Sequence, residues 1–159
     1  MSFTKFVTIL LLSATMSLIV GCDALLTAIS ESATTISSPT DFDANIFLRE
    51  LRALGAAGEQ AGEISQPFFA VTGQLIRVDT ETIQLFAYPD EQVAAEVASQ
   101  ISPNGFTIGT TTVDWFGTPH FYQHGRWLIL YVGDNYELTL ILERILGAQF
   151  AGGVTPPEI

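Results

Sequence analysis

His120-Phe121-Tyr122-Gln123-His124-Gly125-Arg126-Trp127-Leu128-Ile129-Leu130-Tyr131-Val132 is the stretch that decides the fold. Two apolar, aromatic-rich runs flank His124-Gly125, the pattern of antiparallel strands joined by a tight turn. A turn at that pair sets Tyr122 opposite Trp127, Phe121 opposite Leu128 and His120 opposite Ile129. Because strand side chains alternate, Phe121, Leu128, Leu130 and Val132 share one face. His120, Tyr122, Trp127, Ile129 and Tyr131 share the other.

Beyond this hairpin, Asp134 with Glu137 three residues on forms a capping-box pattern. It opens a helix whose apolar face holds Leu138, Ile141, Leu142 and Ile145, and Gly147 ends it. Residues 148–159, with two Gly and two Pro, read as a loose tail. Before the hairpin, Thr111 to Phe116 alternates as a strand and Gly117-Thr118-Pro119 turns the chain.

An earlier hairpin repeats the theme. A loop over Asp79 to Thr82 sets Val78 opposite Ile83 and Ile76 opposite Leu85, an apolar side taken as core. Arg77, Gln84, Phe86 and Tyr88 occupy the reverse side. Asp90 then caps a helix with Val93, Val97 and Ile101 at four-residue spacing and Ala94 and Ala98 allowing close approach, stopped by Ser102-Pro103-Asn104-Gly105. A shift of 44 residues lays Ile83–Ile101 over Trp127–Ile145 and superposes Asp90 on Asp134. The echo suggests two β-β-α halves, a match that ordinary hairpin-helix grammar also produces without duplication.

Further toward the N-terminus, Asp41 or Asp43 caps a helix presenting Phe47, Leu48, Leu51 and Leu54, with Gly55 as its left-handed stop. Gly55, Gly58 and Gly62 punctuate a connector through Glu63, followed by a short strand near Glu63 to Ser65 and a break at Pro67. The glycine spacing fits neither a P-loop nor a dinucleotide fingerprint, and Glu59 and Glu63 would repel phosphate. The fold class expected is α+β: an antiparallel sheet of two hairpins with additional short strands, helices packed on one face, and a β-β-α pseudo-repeat as one reading of the halves. Residues 41–147 form the single domain and 148–159 its tail.

The first 40 residues are of another kind. Lys5 supplies a positive start, Phe6 to Val20 a 15-residue apolar run, and Leu18-Ile19-Val20-Gly21-Cys22 ends it at the chain's only cysteine. This is export-signal anatomy, and the run is shorter than the ~20 apolar residues of a membrane-spanning helix, the rival reading. The pentapeptide resembles a bacterial lipobox. That resemblance implies a lipoprotein signal peptide over residues 1–21, cleavage before Cys22, and a diacylglycerol on its thiol with a further acyl chain on the new N-terminus. Two or three such chains give stable membrane residence at ~0.8 kcal/mol per buried methylene. Asp23 resembles the signal that keeps enterobacterial lipoproteins in the inner membrane. Residues 22–40 are the lipidated Cys and a Ser/Thr-rich tether; as a flexible coil, Asp23 to Thr40 would span roughly 25 Å.

The mature part keeps all 17 carboxylates but only five arginines and no lysine, a formal charge of −12. That charge repels nucleic acid and anionic headgroups. With Cys22 lipidated no thiol is left for a disulfide, a redox step or a metal. His120 and His124 are the only histidines and stand about 13 Å apart along a strand, too far for one ion. No G-x-S-x-G or H-E-x-x-H occurs, and no carboxylate pair is singled out, so no catalytic residue, metal or cofactor is nominated. The remaining candidate is the aromatic face of His120, Tyr122, Trp127 and Tyr131, with Trp115, Phe86 and Tyr88 as neighbours. Tyr and Trp join apolar area to a hydrogen-bonding tip, which suits a protein, peptide or carbohydrate partner. The alternative is that a helix or a second copy covers it. The expectation is a lipid-anchored extracytoplasmic protein whose domain is a non-catalytic binding or accessory module using that face. A small extracytoplasmic hydrolase and a purely structural envelope component are the alternatives.

Overall fold

The computed structural model describes residues 42–153. The signal peptide, Cys22, the tether and the last residues of the tail lie outside that range. Among the described residues no helix is long and apolar enough to cross a membrane.

The decisive hairpin forms strands β6 (Pro119–His124) and β7 (Trp127–Val132). Its loop is Gly125-Arg126, so Tyr122 pairs with Ile129, His120 with Tyr131 and His124 with Trp127. The register differs by two residues from the one the sequence suggests. The earlier hairpin, β2 (Gly73–Val78) and β3 (Glu81–Ala87), differs in the same way: a two-residue loop at Asp79-Thr80 sets Ile76 opposite Ile83. A slip of two keeps every side chain on its face, since the strand period is two. Both facings therefore stand.

The two hairpins meet through β3 and β7, with Leu85 opposite Ile129. β1 (Gly58–Ile64) and β8 (Ala151–Gly152) extend the antiparallel sheet to the order β1-β2-β3-β7-β6-β8. Two of these strands replace expected irregular chain. The Gly-rich connector is largely β1, in which Gly62, at φ +125°, sits where the register shifts against β2. The front of the expected loose tail is β8: Phe150 N–H donates to Phe121 C=O at 2.9 Å and Gly153 N–H to Pro119 C=O at 2.8 Å. Gly152, at φ +89°, lies so close to β6 that a Cβ would fall 1.9 Å from the Pro119 oxygen. Glycine serves here for close approach rather than for looseness. The strand expected over Thr111 to Phe116 shrinks to β5 (Thr111–Thr112), paired with β4 (Thr107–Ile108) in a separate two-stranded sheet.

Three helices complete an α+β fold. α1 (Ala44–Ala53) starts at Asp43, whose carboxylate accepts from Ile46 N–H at 2.8 Å, and buries Ala44, Phe47, Leu48 and Leu51. α2 (Glu91–Ala98) is capped by Asp90 through Val93 N–H at 2.8 Å and buries Ala94 and Ala98. α3 (Tyr136–Leu146) buries Leu138, Leu142 and Leu146; its cap is Asn135, which accepts from Leu138 N–H at 3.1 Å. Asp134, the cap expected, instead accepts from the Thr118 hydroxyl.

The helices do not share one face, as expected, but divide between two. α1 and α3 pack on the face of Ile76, Ile83, Leu85, Tyr122, Trp127, Ile129 and Tyr131. α2 packs on the face of Phe86, Tyr88, Phe121, Leu128 and Leu130. The side of β3 carrying Phe86, with Tyr88 just past its end, lies opposite the expected core and is thus buried as well. The β-β-α echo holds along the chain and stops in space. Relative to the 44-residue alignment, β7 runs one residue past the end of β3, and one residue separates the two faces of a strand. The second helix accordingly leaves on the other side.

Candidate functional site

The aromatic face expected to meet a partner is interior. Tyr122 and Tyr131 are fully buried, Trp127 is 5% exposed and His120 8%. α1 and α3 cover them with Phe47, Leu51, Leu138 and Leu142. These side chains are core because removing so much apolar area from water is strongly favourable. Trp115 lies elsewhere, on the α2 face. It is half-buried, edge-on to Phe68 and Phe121 at 5.8 and 6.0 Å, and its indole N–H donates to Gly105 C=O at 2.9 Å. The five candidate residues are therefore not one surface.

The polar tips on that face serve structure. The His120 ring stacks on Tyr131 at 5.5 Å, with Nδ1 2.7 Å from Gln149 Oε1 and Nε2 3.1 Å from Gly133 C=O. It is a buried histidine that fastens the C-terminal segment. The Tyr131 hydroxyl donates to Glu81 Oε2 at 3.1 Å and accepts from Asn135 N–H at 3.0 Å, tying β3 to the start of α3. Burial above all pushes its pKa up to about 12, with Glu81 adding to the rise and the Asn135 N–H opposing it. Burial alone takes Tyr88 to about 12. Tyr122 is raised too, by burial first and then by the nearby charges of Glu143 and Tyr131. The hydroxyls of Tyr88 and Tyr122 and the indole nitrogen of Trp127 are buried with no hydrogen-bond partner.

Solvent reaches this layer at one end of the sheet, where the β6–β7 turn meets the entry of α1. A cleft of about 450 Å³ is lined there by Phe42, Pro89, Asp90, Glu91, His124, Arg126 and Trp127. Phe42 forms its wall, with its ring 4.6 Å from His124 and edge-on to Trp127 at 5.9 Å. Arg126 is held in place twice. Its Nη1 donates to Tyr88 C=O at 2.8 Å, and its guanidinium lies 5.4 Å from the Trp127 ring centre, a cation–π arrangement. A second cleft, of about 540 Å³, shares Phe42 and His124 and continues past Ile46, Glu50 and Leu54 to Arg144 and Ile145. Aromatic rings thus stand at the join of two hollows, each with one guanidinium and at least one carboxylate on its margin.

Sequence reasoning nominated Trp127 for a strand face, read Asp90 only as a helix cap and left Phe42, Glu91 and Arg126 without a role. No spacing signal links residues separated by some eighty positions, so only the folded chain brings them together. Among the described residues, no group of three His, Cys, Asp or Glu side chains is placed to hold a metal. Comparison with protein-family models, curated proteins and solved structures finds no match to this chain.

Proposed function

We propose that this chain is a lipid-anchored extracytoplasmic protein whose domain serves as a non-catalytic binding or accessory module, facing its partner through the groove around Phe42. The observation that carries the reading is Leu18-Ile19-Val20-Gly21-Cys22, placed after a positive start and a 15-residue apolar run. The resemblance to a lipobox implies acylation of that thiol, and two or more acyl chains would hold a small acidic domain at a bilayer its charge would otherwise avoid. Phe42, a lining residue of the groove, follows Cys22 by 20 residues. The strand aromatics, being core, are not the contact surface, and the groove is a concavity at the edge of that layer that solvent reaches. A concave site with an aromatic wall and few polar groups is the ordinary form of a ligand site.

Metabolic labelling with radioactive palmitate tests the anchor. The mature polypeptide is expected to carry label, and Cys22→Ser to lose it and move from the membrane to the soluble fraction. An unlabelled mature chain, with Cys22→Ser fractionating as the parent does, overturns the reading.

A further inference from the structure

We infer that the outward ridge of α3 is a contact surface for a second copy of this chain, the two α3 helices lying antiparallel about a two-fold axis between Leu140 and Ile141. The inference goes beyond the proposed binding role and rests on that reading in one respect, the anchor that gathers copies in one plane.

The ridge is apolar at its centre although nothing in the domain covers it. Leu138, Leu142 and Leu146 are buried, so the helical period turns Glu137, Leu140 and Arg144 outward with Tyr136 on their flank. Leu140 is 43% exposed and Tyr136 72%. Beside them lies a hollow of about 530 Å³, lined by Glu137, Leu140, Ile141, Glu143 and Arg144, into which a neighbouring ridge can pack.

The spacing of the charges selects the occupant. Glu137 and Arg144 are two helical turns apart, about 10 Å, too far to pair within the helix. The ion pairs among the described residues are Arg49–Glu50 and Arg77–Glu59, which leaves both of these charges without one. Each stands equally far along the helix from the midpoint of Leu140 and Ile141. Read backwards, the stripe acid, apolar, apolar, base becomes base, apolar, apolar, acid. An antiparallel copy therefore sets Glu137 against Arg144 of the second copy, Arg144 against its Glu137, and Leu140 against its Ile141. An isologous contact requires that self-complementarity. Glu143 lies on the flank of Tyr136, and the same two-fold brings it toward the Tyr136 hydroxyl of the second copy, a donor, rather than toward another carboxylate. A bilayer is a poor occupant, because Glu137 and Glu143 would enter it together with Leu140.

Size sets the strength. α3 has 11 residues, about 16 Å of helix. One pair of such helices covers less than the ~800 Å² per partner of a standard stable interface. The contact is therefore weak in free solution, where chains so rich in carboxylates also repel one another. Copies held at one membrane meet at a far higher effective concentration, and that is the setting in which a small contact forms.

Charge reversal tests the geometry. Full-length chains carrying a donor or an acceptor dye at the C-terminus are mixed in excess detergent, one chain per micelle. Energy transfer between them is followed up to about 1 mM, the weak end of measurable affinity. The parent is expected to show transfer that rises with concentration. Glu137→Arg and Arg144→Glu, each alone, set like charges at both ends of the contact and are expected to weaken it about tenfold or more. Mixed with each other, the two variants restore both opposite-charge pairs, and transfer is expected to return to the parent level. Leu140→Asp is expected to abolish it. All three positions are exposed, and an unchanged thermal midpoint shows that each variant is folded. The inference is overturned if the parent shows no concentration-dependent transfer, if the single reversals associate as the parent does, or if their mixture stays as weak as either alone. Made in detergent, the measurement stands whether or not Cys22 carries label, and its failure leaves the palmitate result untouched.

Discussion

Under α1 and α3 the sheet presents His120, Tyr122, Trp127 and Tyr131; under α2 and the small β4–β5 sheet it presents Phe86, Phe121, Leu128 and Leu130 with Tyr88. Both layers exclude water, but the first sets more rings with polar tips among its aliphatic side chains than the second. Two of those tips, on His120 and Tyr131, fasten chain segments to each other: the segment leading into β8 in one case, the start of α3 in the other. The second layer holds its partners chiefly by hydrocarbon packing, with one polar tie from the Trp115 indole N–H to Gly105 C=O. The difference teaches that an amphipathic aromatic on a strand is not by itself a sign of recognition. The same polar tip that would greet a ligand also stitches a core.

The heaviest damage should come from opening either layer. Phe47→Ala removes a fully buried ring from the first and is expected to cost about 3–5 kcal/mol, read as a fall in the denaturation midpoint. Ala94→Leu forces extra methylenes between α2 and the second layer, where Ala94 has no exposed surface, and is expected to cost about 1–3 kcal/mol. If Ala94→Leu were neutral, α2 would not be packed on the sheet as described.

Alkali probes the tyrosines of both layers. Tyr88 and Tyr131 are raised to about 12 from an ordinary 10, so the folded chain holds those protons more tightly than the unfolded one. The resulting stabilisation is complete below pH about 10 and is lost as the pH climbs through about 12. Unfolding followed by circular dichroism should therefore set in across that window and coincide with the tyrosinate absorbance. Tyr131→Phe, which also frees Asn135 N–H and Glu81, should lower the midpoint at neutral pH by about 1–2 kcal/mol. A smaller effect attends the caps: Asn135→Ala is expected to cost about 1 kcal/mol, as is Asp43→Ala. Phe116, fully exposed in the loop after Trp115, sits at the far end of the scale, and Phe116→Ser should change stability by no more than about 0.5 kcal/mol.

Much of this architecture can be read from residue order. Both hairpins, their facings, the first two caps and the apolar faces of α1 and α3 follow from periodicity and from Asp43 and Asp90. Registers slipped by two because turn residues fix loop length only loosely, and the facing survived because the strand period is two. β1 and β8 were hidden by glycines that resemble punctuation but act at a register shift and at a close backbone contact. The assignment of helices to faces turns on a single residue at the end of β7, a difference no hydrophobic pattern marks. The groove was invisible for a plainer reason. Phe42, Asp90, His124 and Arg126 become neighbours only when the end of the β6–β7 hairpin meets the start of α1.

The claim on which the rest depends is that Tyr122, Trp127 and Tyr131 are sealed inside the molecule by α1 and α3. Trp115→Phe leaves Trp127 as the sole indole, and quenching of its fluorescence by acrylamide measures that seal directly. The account predicts weak quenching in the native state that rises to the free-indole level on denaturation. Quenching of native Trp127 as efficient as that of free tryptophan would contradict it.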